Sequence, residues 1–173
     1  MILLLLILIS SPIAPEPETE RISCPTAATM AQRMDLNGAG PRKACRVDAQ
    51  LQRAGWSDEW IAGALANAWF ESGWQADAVG DSGRAVGFWQ LRDDGLGKGM
   101  GDLRYDIRHS TDRIVRSARR QKLRTDKGDV RHAADRFCQL IMRPSDEARK
   151  GELRASAAAR LSADDPSDKL SDE

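Results

Sequence analysis

The sequence predicts an α+β protein that is mainly α, with about five helices and one short β-hairpin. Apolar residues recur at the 3,4 spacing of amphipathic helices through most of the chain. Only one segment, Ala85–Leu91, is rich in strand-forming residues, and 173 residues suit a single domain of ordinary size. So little strand content excludes a sandwich, a barrel or a parallel sheet.

Two helices are predicted in the first half of the chain. Arg46–Ala54 is a short helical stretch that ends at Gly55. Ser57–Ser72 is the second, because Ser57 is a good N-cap and the two acids after it interact favourably with the helix dipole. Its apolar residues repeat on one face, and Gly73 is expected to end it.

The rest of the chain begins with a loop at Trp74–Arg84, which has turn-forming residues and no helical period. Ala85–Leu91 is then a short strand or one arm of a hairpin, followed by a loop rich in glycine. The remaining predictions are three helices: Asp106–Leu123, one capped by Asp129, and one from near Ser145 to Ala159.

The zero net charge hides an uneven distribution. Residues 21–161 carry 25 basic and 18 acidic side chains, a net charge of +7, and both ends are acidic. Arg104–Arg124 alone holds eight bases against two acids. A basic body favours an anionic partner such as nucleic acid, anionic lipid or an anionic wall polymer, and charge does not choose among them.

The chain divides into residues 1–20, a hydrophobic leader with an acidic linker; residues 21–161, the folded domain; and residues 162–173, an acidic flexible tail. Ile2–Ile9 has the length of a signal-peptide core and is too short to span a bilayer. No base precedes it, which is atypical of a signal, so a buried or interfacial N-terminal segment is the alternative. Export would allow Cys24 and Cys45 to pair.

Cofactor and metal chemistry have little support in the sequence. The glycines that follow Leu91 lack the spacing of phosphate-binding loops. Three cysteines and two histidines without ligand spacing predict no metal site, and we expect no cofactor. Cys138 falls within an apolar helical stripe and is predicted to be a core residue.

Glu71 is the residue most suited to chemistry. It lies in the last turn of the Ser57–Ser72 helix, at the border of the apolar face and close in sequence to Trp69, Phe70 and Trp74. A helix C-terminus and aromatic neighbours both raise a carboxyl pKa, as a general acid for glycosidic cleavage requires. An ordinary solvated glutamate at a helix end is the alternative.

The surrounding motif resembles the first signature of soluble lytic transglycosylases and goose-type lysozymes. That signature is a helix ending in Glu-Ser, a loop, and then Gly-x-x-Gln, here Glu71-Ser72 and Gly87-Phe88-Trp89-Gln90. The sequence is most similar to the phage tail lysozyme branch, whose helix opens with Gly-Trp-Ser-Asp-Glu, as Gly55–Glu59 does here. The later Arg143-Pro144 and Ala155 also match that branch, and the resemblance covers about residues 46–160.

The resemblance implies a lysozyme-like fold, with the hairpin beside the active-site cleft. It also implies cleavage of the β-1,4 bond between N-acetylmuramic acid and N-acetylglucosamine in peptidoglycan. Glu71 corresponds to the catalytic acid. The implied substrate-binding residues are Ser72, which lies beside that acid, and Gly87, Phe88, Trp89 and Gln90 along the sugar cleft. Gly87 would let glycan approach the backbone, Phe88 or Trp89 would stack on a sugar, and Gln90 would bind an N-acetyl group. A core position is an equal alternative for Trp89.

The chain departs from the family pattern in ways that leave the reaction open. Gln75-Ala76 replaces the usual Asn-Pro, and the Tyr-Asn-Ala-Gly motif of transglycosylases is absent. Asp81 is the best candidate for a second catalytic carboxylate, with Asp77 behind it, although an Asp that forms the turn is as good an interpretation. Glu71 acting alone would give a 1,6-anhydro sugar, whereas Asp81 positioning water would give a reducing sugar.

Three functions follow from these patterns. The first is a phage-encoded enzyme of lysis or virion entry, exported or virion-associated, with peptidoglycan and other virion proteins as partners and neither nucleic acid nor a membrane span involved. It would be cytoplasmic if the leader is not a signal. The second is an inactive wall-binding or virion structural module of the same fold. The third is a basic helical protein that binds nucleic acid through Arg104–Arg124.

Overall fold

The structure is a computed structural model that describes residues 23–142 and 147–161. The proposed leader, linker and tail lie outside the described residues, so the signal-peptide and domain-boundary predictions stay predictions. The helices are α1 (Pro25–Arg33), α2 (Ala39–Arg53), α3 (Asp58–Ser72), α4 (Ile107–Arg120), α5 (Val130–Phe137) and α6 (Glu147–Leu161). The strands are β1 (Val79–Gly80), β2 (Ala85–Val86) and β3 (Leu91–Arg92).

Helix α3 is the centre of the fold. Nine consecutive residues, from Trp60 to Ala68, are buried, because α5 and α6 cover the helix on one side and α1 and α2 on another. Glycine permits the closest of these contacts: a Cβ on Gly63 would lie 2.6 Å from the backbone nitrogen of Ala134 in α5. We call α3, α5 and α6 together the helical wall.

The mainly α prediction is confirmed, but residues 23–142 and 147–161 already contain six α-helices where five were predicted. Helix α1 was not predicted, and α2 begins at Ala39, seven residues before the predicted start. A disulfide between Cys24 and Cys45 joins these two helices. Asp48, which is fully buried in α2, accepts a hydrogen bond from the backbone N–H of Ala27 in α1. Because burial desolvates the carboxylate, the pKa of Asp48 is raised.

Of the two predicted caps, Asp129 is confirmed, because it accepts a hydrogen bond from the N–H of His132 at the start of α5. Asp106, predicted only as the first residue of its helix, caps α4 by accepting a hydrogen bond from the N–H of His109. Ser57 occupies the N-cap position of α3, but its hydroxyl is buried and makes no capping bond. The predicted apolar stripe of α5 is buried and continues through a π-helical turn at Cys138–Met142.

A small antiparallel sheet has the strand order β1-β2-β3, and the turn between β2 and β3 meets the helical wall through Phe88 and Trp89. The segment Ala85–Leu91 was predicted as one strand or hairpin arm, and it is instead β2, a tight turn and the first residue of β3. The turn forms because Gly87 and Gln90 adopt positive φ angles of +80° and +47°. Within the described part of the chain, no helix has the length and apolar character needed to cross a bilayer.

Candidate functional site

Glu71 lies where the sequence predicts it, in the last turn of α3. The helix ends because Gly73 adopts a left-handed conformation, with φ of +59°, and donates its N–H to the carbonyl of Trp69. Trp74 then folds back, fully buried, and its indole N–H donates to the carbonyl of Leu65. The Glu71 side chain remains 23% exposed, so it is reachable from solvent at the edge of the helical wall.

Arg154 of α6 is the partner of this carboxylate. Its Nη2 lies 2.5 Å from Oε1 of Glu71, and its side chain is only 7% exposed. Nη1 of the same guanidinium donates to Oδ1 of Asn67 at 2.9 Å and contacts Sγ of Cys138 at 3.5 Å. A guanidinium in this position holds one oxygen of the carboxylate and restricts how the side chain can turn.

Asn67 explains why the guanidinium is held so firmly. Its Nδ2 donates to the carbonyls of Gly63 at 2.8 Å and Ala134 at 3.0 Å. Because both amide hydrogens are occupied, Oδ1 is left as the acceptor and faces Arg154. The close approach of α3 and α5 at Gly63 thus fixes the orientation of the Asn67 amide. The amide in turn orients the guanidinium of Arg154, and the guanidinium orients the carboxylate of Glu71.

Oε2 of Glu71 is the free oxygen of this arrangement. Among the described residues no group donates to it, whereas Oε1 is held by Arg154. A carboxyl group that carries its proton on Oε2 can still accept the arginine hydrogen bond on Oε1. The geometry therefore allows a proton to be given or taken at Oε2 without loss of the Arg154 contact.

Cys138 is a core residue, as predicted. Its side chain is fully buried, and burial raises the pKa of the thiol. A buried thiol that stays protonated is a poor nucleophile, so the residue serves packing rather than chemistry.

Ser72 connects the helical wall to the sheet. Its hydroxyl lies 2.7 Å from the carbonyl of Phe88 and 3.1 Å from the carbonyl of Ala68. The hydroxyl therefore bonds to backbone of the protein itself and positions the hairpin against α3. The resemblance had instead implied that Ser72 contacts the substrate.

The prediction that Phe88 or Trp89 stacks on a sugar is wrong. Both side chains are fully buried; their rings meet edge to face at 5.1 Å, and Trp89 also packs against Phe137. The indole N–H of Trp89 donates to the hydroxyl of Thr111 at 3.0 Å. The core alternative for Trp89 is thus correct, because the turn after Gly87 directs both rings inward.

Gly87 and Gln90 shape the hairpin from within. A Cβ on Gly87 would lie 2.2 Å from the carbonyl oxygen of Arg104, so the packing of the protein's own backbone requires a glycine here. From the sequence alone, the expected reason for this glycine was instead the approach of a glycan. Nε2 of Gln90 donates to the carbonyls of Ala78 and Gly87. With both amide hydrogens used, only Oε1 of Gln90 remains for an N-acetyl group.

Asp81 lies in a 3-10 turn between β1 and β2, and arginines hold both of its oxygens. Arg84 Nη2 lies 3.0 Å from Oδ1, and Arg92 pairs with Oδ2. This favours the interpretation of Asp81 as a residue that organises the turn. Asp77 is exposed and lies 3.7 Å from Lys43.

Phe70 was missed as a candidate binding residue. It is 49% exposed, directly before Glu71, and the guanidinium carbon of Arg154 lies 6.0 Å from its ring centroid. The sequence marked it only as an apolar neighbour, because exposure at one position of an apolar run cannot be seen without the packing of α6. It is an exposed aromatic ring next to the candidate acid.

A cavity of about 440 Å³ opens between the hairpin and the π-helical turn. Its polar lining comes from Gln90, Arg92, Ser117 and Gln121, and Leu140 to Met142 supply an apolar side. Glu71 is not among the lining residues, so the cavity and the carboxylate are separate features of this side of the molecule.

The profile of the phage tail lysozyme family matches residues 44–163. The chain belongs to this family. Comparison with curated proteins and with solved structures found no match. The part that matches the phage tail lysozymes contains Glu71, Asn67, Arg154 and the whole hairpin, whereas α1 and its half of the disulfide precede it.

No group of three or more His, Cys, Asp or Glu side chains that could hold an ion occurs within residues 23–142 and 147–161. His109 contacts Asp106 at 2.8 Å, and His132 packs against Trp60, so each histidine has a local structural partner.

Proposed function

We propose that this member of the phage tail lysozyme family cleaves the glycan strands of peptidoglycan, with Glu71 as the general acid and base. The observation that carries the proposal is a carboxylate at the end of α3 with one oxygen fixed by buried Arg154 and the other open. Acid–base catalysis requires a group held in one orientation with its reactive atom accessible to substrate.

In the proposed reaction Oε2 of Glu71 gives its proton to the leaving oxygen of the β-1,4 bond between N-acetylmuramic acid and N-acetylglucosamine. The bond from that oxygen to C1 breaks, and the C6 hydroxyl of the muramic acid attacks C1. Glu71 takes the hydroxyl proton and is ready for another turnover. The product is a 1,6-anhydro sugar, and the proposed steps need only proton transfer and electrostatic stabilisation.

The state of Asp81 favours this single-carboxylate route over hydrolysis. A water-positioning carboxylate needs an oxygen available to water, and both oxygens of Asp81 already accept from arginines. If Asp81 does direct water to C1, the product is a reducing sugar, and the two routes differ in a measurable mass.

Phe70 is proposed as the aromatic surface for a sugar ring, in place of the buried Phe88 and Trp89. It is 49% exposed and directly precedes Glu71 in the chain. Gln90 has only Oε1 left as an acceptor, because both of its amide hydrogens are bonded within the hairpin. Ser72 supports the site by holding the hairpin against α3, and Gly87 supports it by letting the hairpin pack against the backbone of Arg104.

The proposed place of action is outside the bacterial cytoplasm, in lysis or in wall opening by the virion, where other virion proteins would be partners. The Cys24–Cys45 disulfide supports this, because such bonds persist in oxidising compartments. Peptidoglycan lies in the same compartments.

Mass spectrometry of the soluble products from purified peptidoglycan tests the proposal. We expect anhydromuropeptides from the full chain and none from Glu71→Gln. Glu59→Gln is the matched control, because it makes the same change in the first turn of the same helix and should leave product formation unchanged. Reducing muropeptides would replace the single-carboxylate route with hydrolysis. A folded wild-type protein that sediments with the wall but releases nothing would make the chain an inactive wall-binding module.

A further inference from the structure

A basic groove runs between α2 and α4, and Glu71 is not among the residues that line it. Its two sides are helix faces of regular spacing, and two adjoining cavities of about 480 and 700 Å³ share Gln50, Arg53 and Arg108. We call it the α2–α4 groove, and define it by Lys43, Arg46, Gln50 and Arg53 of α2 and Arg108, Asp112, Arg116 and Arg119 of α4.

The floor of the groove is polar and fixed. Nε2 of Gln50 crosses from α2 to donate to the carbonyl of Arg108 at 2.9 Å and to Oδ1 of Asp112 at 2.7 Å. This bridge joins the two helices and occupies Asp112, while Asp106, the other acid that lines the cavities, contacts His109 at 2.8 Å. The side chains that rise from the two faces are then almost all cationic.

The arginines of the groove lack carboxylate partners. The groove contains five arginines, which are Arg46, Arg53, Arg108, Arg116 and Arg119. All five are exposed, and in the part of the chain that the structure describes none of them forms an ion pair. Elsewhere arginine does pair: Arg84 and Arg92 with Asp81, Arg124 with Asp126, and Arg154 with Glu71. Neighbouring like charges cost folding free energy, so the fold itself gives no reason for this cluster.

The shape of the cluster indicates a linear polyanion. Lys43 to Arg53 and Arg108 to Arg119 each extend roughly 15 Å at the rise of an α-helix. Guanidinium groups repeated on both sides of a trough match a row of phosphates, because each planar fork binds phosphate with two hydrogen bonds. A single phosphate ion would use only a fraction of them.

The other anionic surfaces fit less well. The large exposed apolar side chains of the described residues, which a membrane surface would use, are Phe70, Val79, Leu103 and Leu153, all outside the groove. Binding of single-stranded nucleic acid uses a series of exposed aromatic rings, and the groove's one aromatic, Tyr105, is half-buried at one end.

We propose that the α2–α4 groove binds a phosphodiester polymer of the bacterial wall and thereby holds the protein on its substrate. This rests on the proposed wall-directed function for the choice of polymer, whereas the anion-binding chemistry rests on the groove alone. Among the described residues, no hydrogen bond or ion pair joins a groove residue to Glu71, Asn67 or Arg154, so the two sites can be altered separately.

Binding is tested with full-length protein that carries Glu71→Gln, so that the wall stays intact. The probe is purified Gram-positive wall, before and after hydrofluoric acid removes its phosphodiester polymers. We expect extraction to weaken binding roughly tenfold or more, and the steep fall of affinity with salt to disappear. Adding Arg53→Gln, Arg108→Gln and Arg116→Gln should weaken binding to intact wall by a similar factor and change binding to extracted wall little.

The matched control is Lys98→Gln, Arg120→Gln and Lys127→Gln, which removes the same charge from exposed positions outside the groove. It should change binding to intact wall by less than about threefold, because only general attraction is lost. Replacing the three groove arginines by lysine should restore much of the affinity, since the charge returns without the planar fork.

The proposal is overturned if extracted wall binds as well as intact wall, or if the control triple loses as much affinity as the groove triple. It is also overturned if vesicles with 30% anionic phospholipid, or a single-stranded DNA oligomer, bind at the groove more tightly than the wall polymer does. Product analysis of the wild-type protein is a separate measurement. Groove-dependent binding without any wall cleavage would support the proposed polymer binding at the groove and would contradict the proposed enzymatic function.

Discussion

Two carboxylates of this protein are paired with arginine in opposite surroundings. Glu71 belongs to the helical wall, where one buried guanidinium, itself fixed by Asn67, holds a single oxygen. Asp81 belongs to the hairpin, where Arg84 and Arg92 hold both oxygens at the surface. Surface ion pairs contribute little to folding stability and are screened by salt, whereas a buried, hydrogen-bonded pair fixes the orientation of its side chains. The helical wall therefore holds the Glu71 carboxylate in one orientation, whereas the hairpin leaves the Asp81 carboxylate able to change its orientation.

The same contrast extends to what surrounds each carboxylate. Helices of the helical wall approach each other closely, as α3 and α5 do at Gly63, and such contacts restrict how the helices can shift relative to one another. The hairpin has three two-residue strands and several residues with positive φ, so its own hydrogen bonds are few and its attachment to α3 through Ser72 matters more. Substitutions in the two regions should consequently differ in size and kind.

The largest effect on stability is expected from Arg154→Met. Removing the guanidinium leaves Oε1 of Glu71 and Oδ1 of Asn67 without a donor, and because Glu71 is partly exposed we expect a loss of about 2–3 kcal/mol in unfolding free energy. The rate of wall cleavage at saturating substrate should fall roughly tenfold or more, since Glu71 loses its orientation. Thermal unfolding and initial rates measure the two effects.

Arg154→Lys tells orientation apart from charge. Lysine keeps the charge but cannot reach both Glu71 and Asn67, so it should recover part of the stability and little of the rate. Full recovery of the rate would show that charge alone is needed, which would contradict the role of a fixed guanidinium in the wall.

Packing of the wall is tested by a pair of glycine substitutions. Gly63→Ala places a methyl group 2.6 Å from backbone of α5 and should cost about 1–3 kcal/mol of stability. Gly151→Ala meets only the end of the Asp135 side chain, which can move, so the better helix propensity of alanine should offset much of the contact. Denaturant unfolding measures both variants. Equal losses would show that the α3–α5 contact is not a rigid constraint.

A smaller effect is expected from Phe70→Leu, which keeps an apolar side chain and removes the ring. If the ring faces a sugar, KM should rise by roughly three- to tenfold, in line with the strength of aromatic contacts, and kcat should change little. Folding should be unaffected because the side chain is half exposed. A drop in kcat with unchanged KM would assign Phe70 to positioning Arg154 instead.

The sequence predicted the skeleton of this arrangement, including α3, its end at Gly73 and the placement of Glu71 in the final turn. Periodicity and glycine chemistry are local properties, which is why these predictions are confirmed. It also predicted the core position of Cys138 from the apolar stripe of α5. Helix α1 was missed because its short, weakly apolar sequence is stabilised by the disulfide and by Asp48, which are contacts between helices.

The residues around the site were harder to predict because their roles depend on contacts between distant segments. Arg154 is 83 residues from Glu71, and no local pattern connects them. Asn67 lies one helical turn before Glu71 on the same face, and that spacing was the available signal for it. Phe88 and Trp89 were assigned to sugar because a family motif gives residue identity but not the direction of the rings, which the turn at Gly87 determines.

The most direct test of the central claim measures, side by side, the rate at which folded wild-type, Glu71→Gln and Asp81→Asn proteins release soluble fragments from labelled peptidoglycan. We predict that Glu71→Gln lowers the rate roughly 10²- to 10⁴-fold, the usual contribution of general acid–base catalysis. Asp81→Asn should stay within about threefold of wild type, as expected for a surface pair. A folded Glu71→Gln protein that keeps its activity, or an Asp81→Asn protein that loses it, would contradict the account.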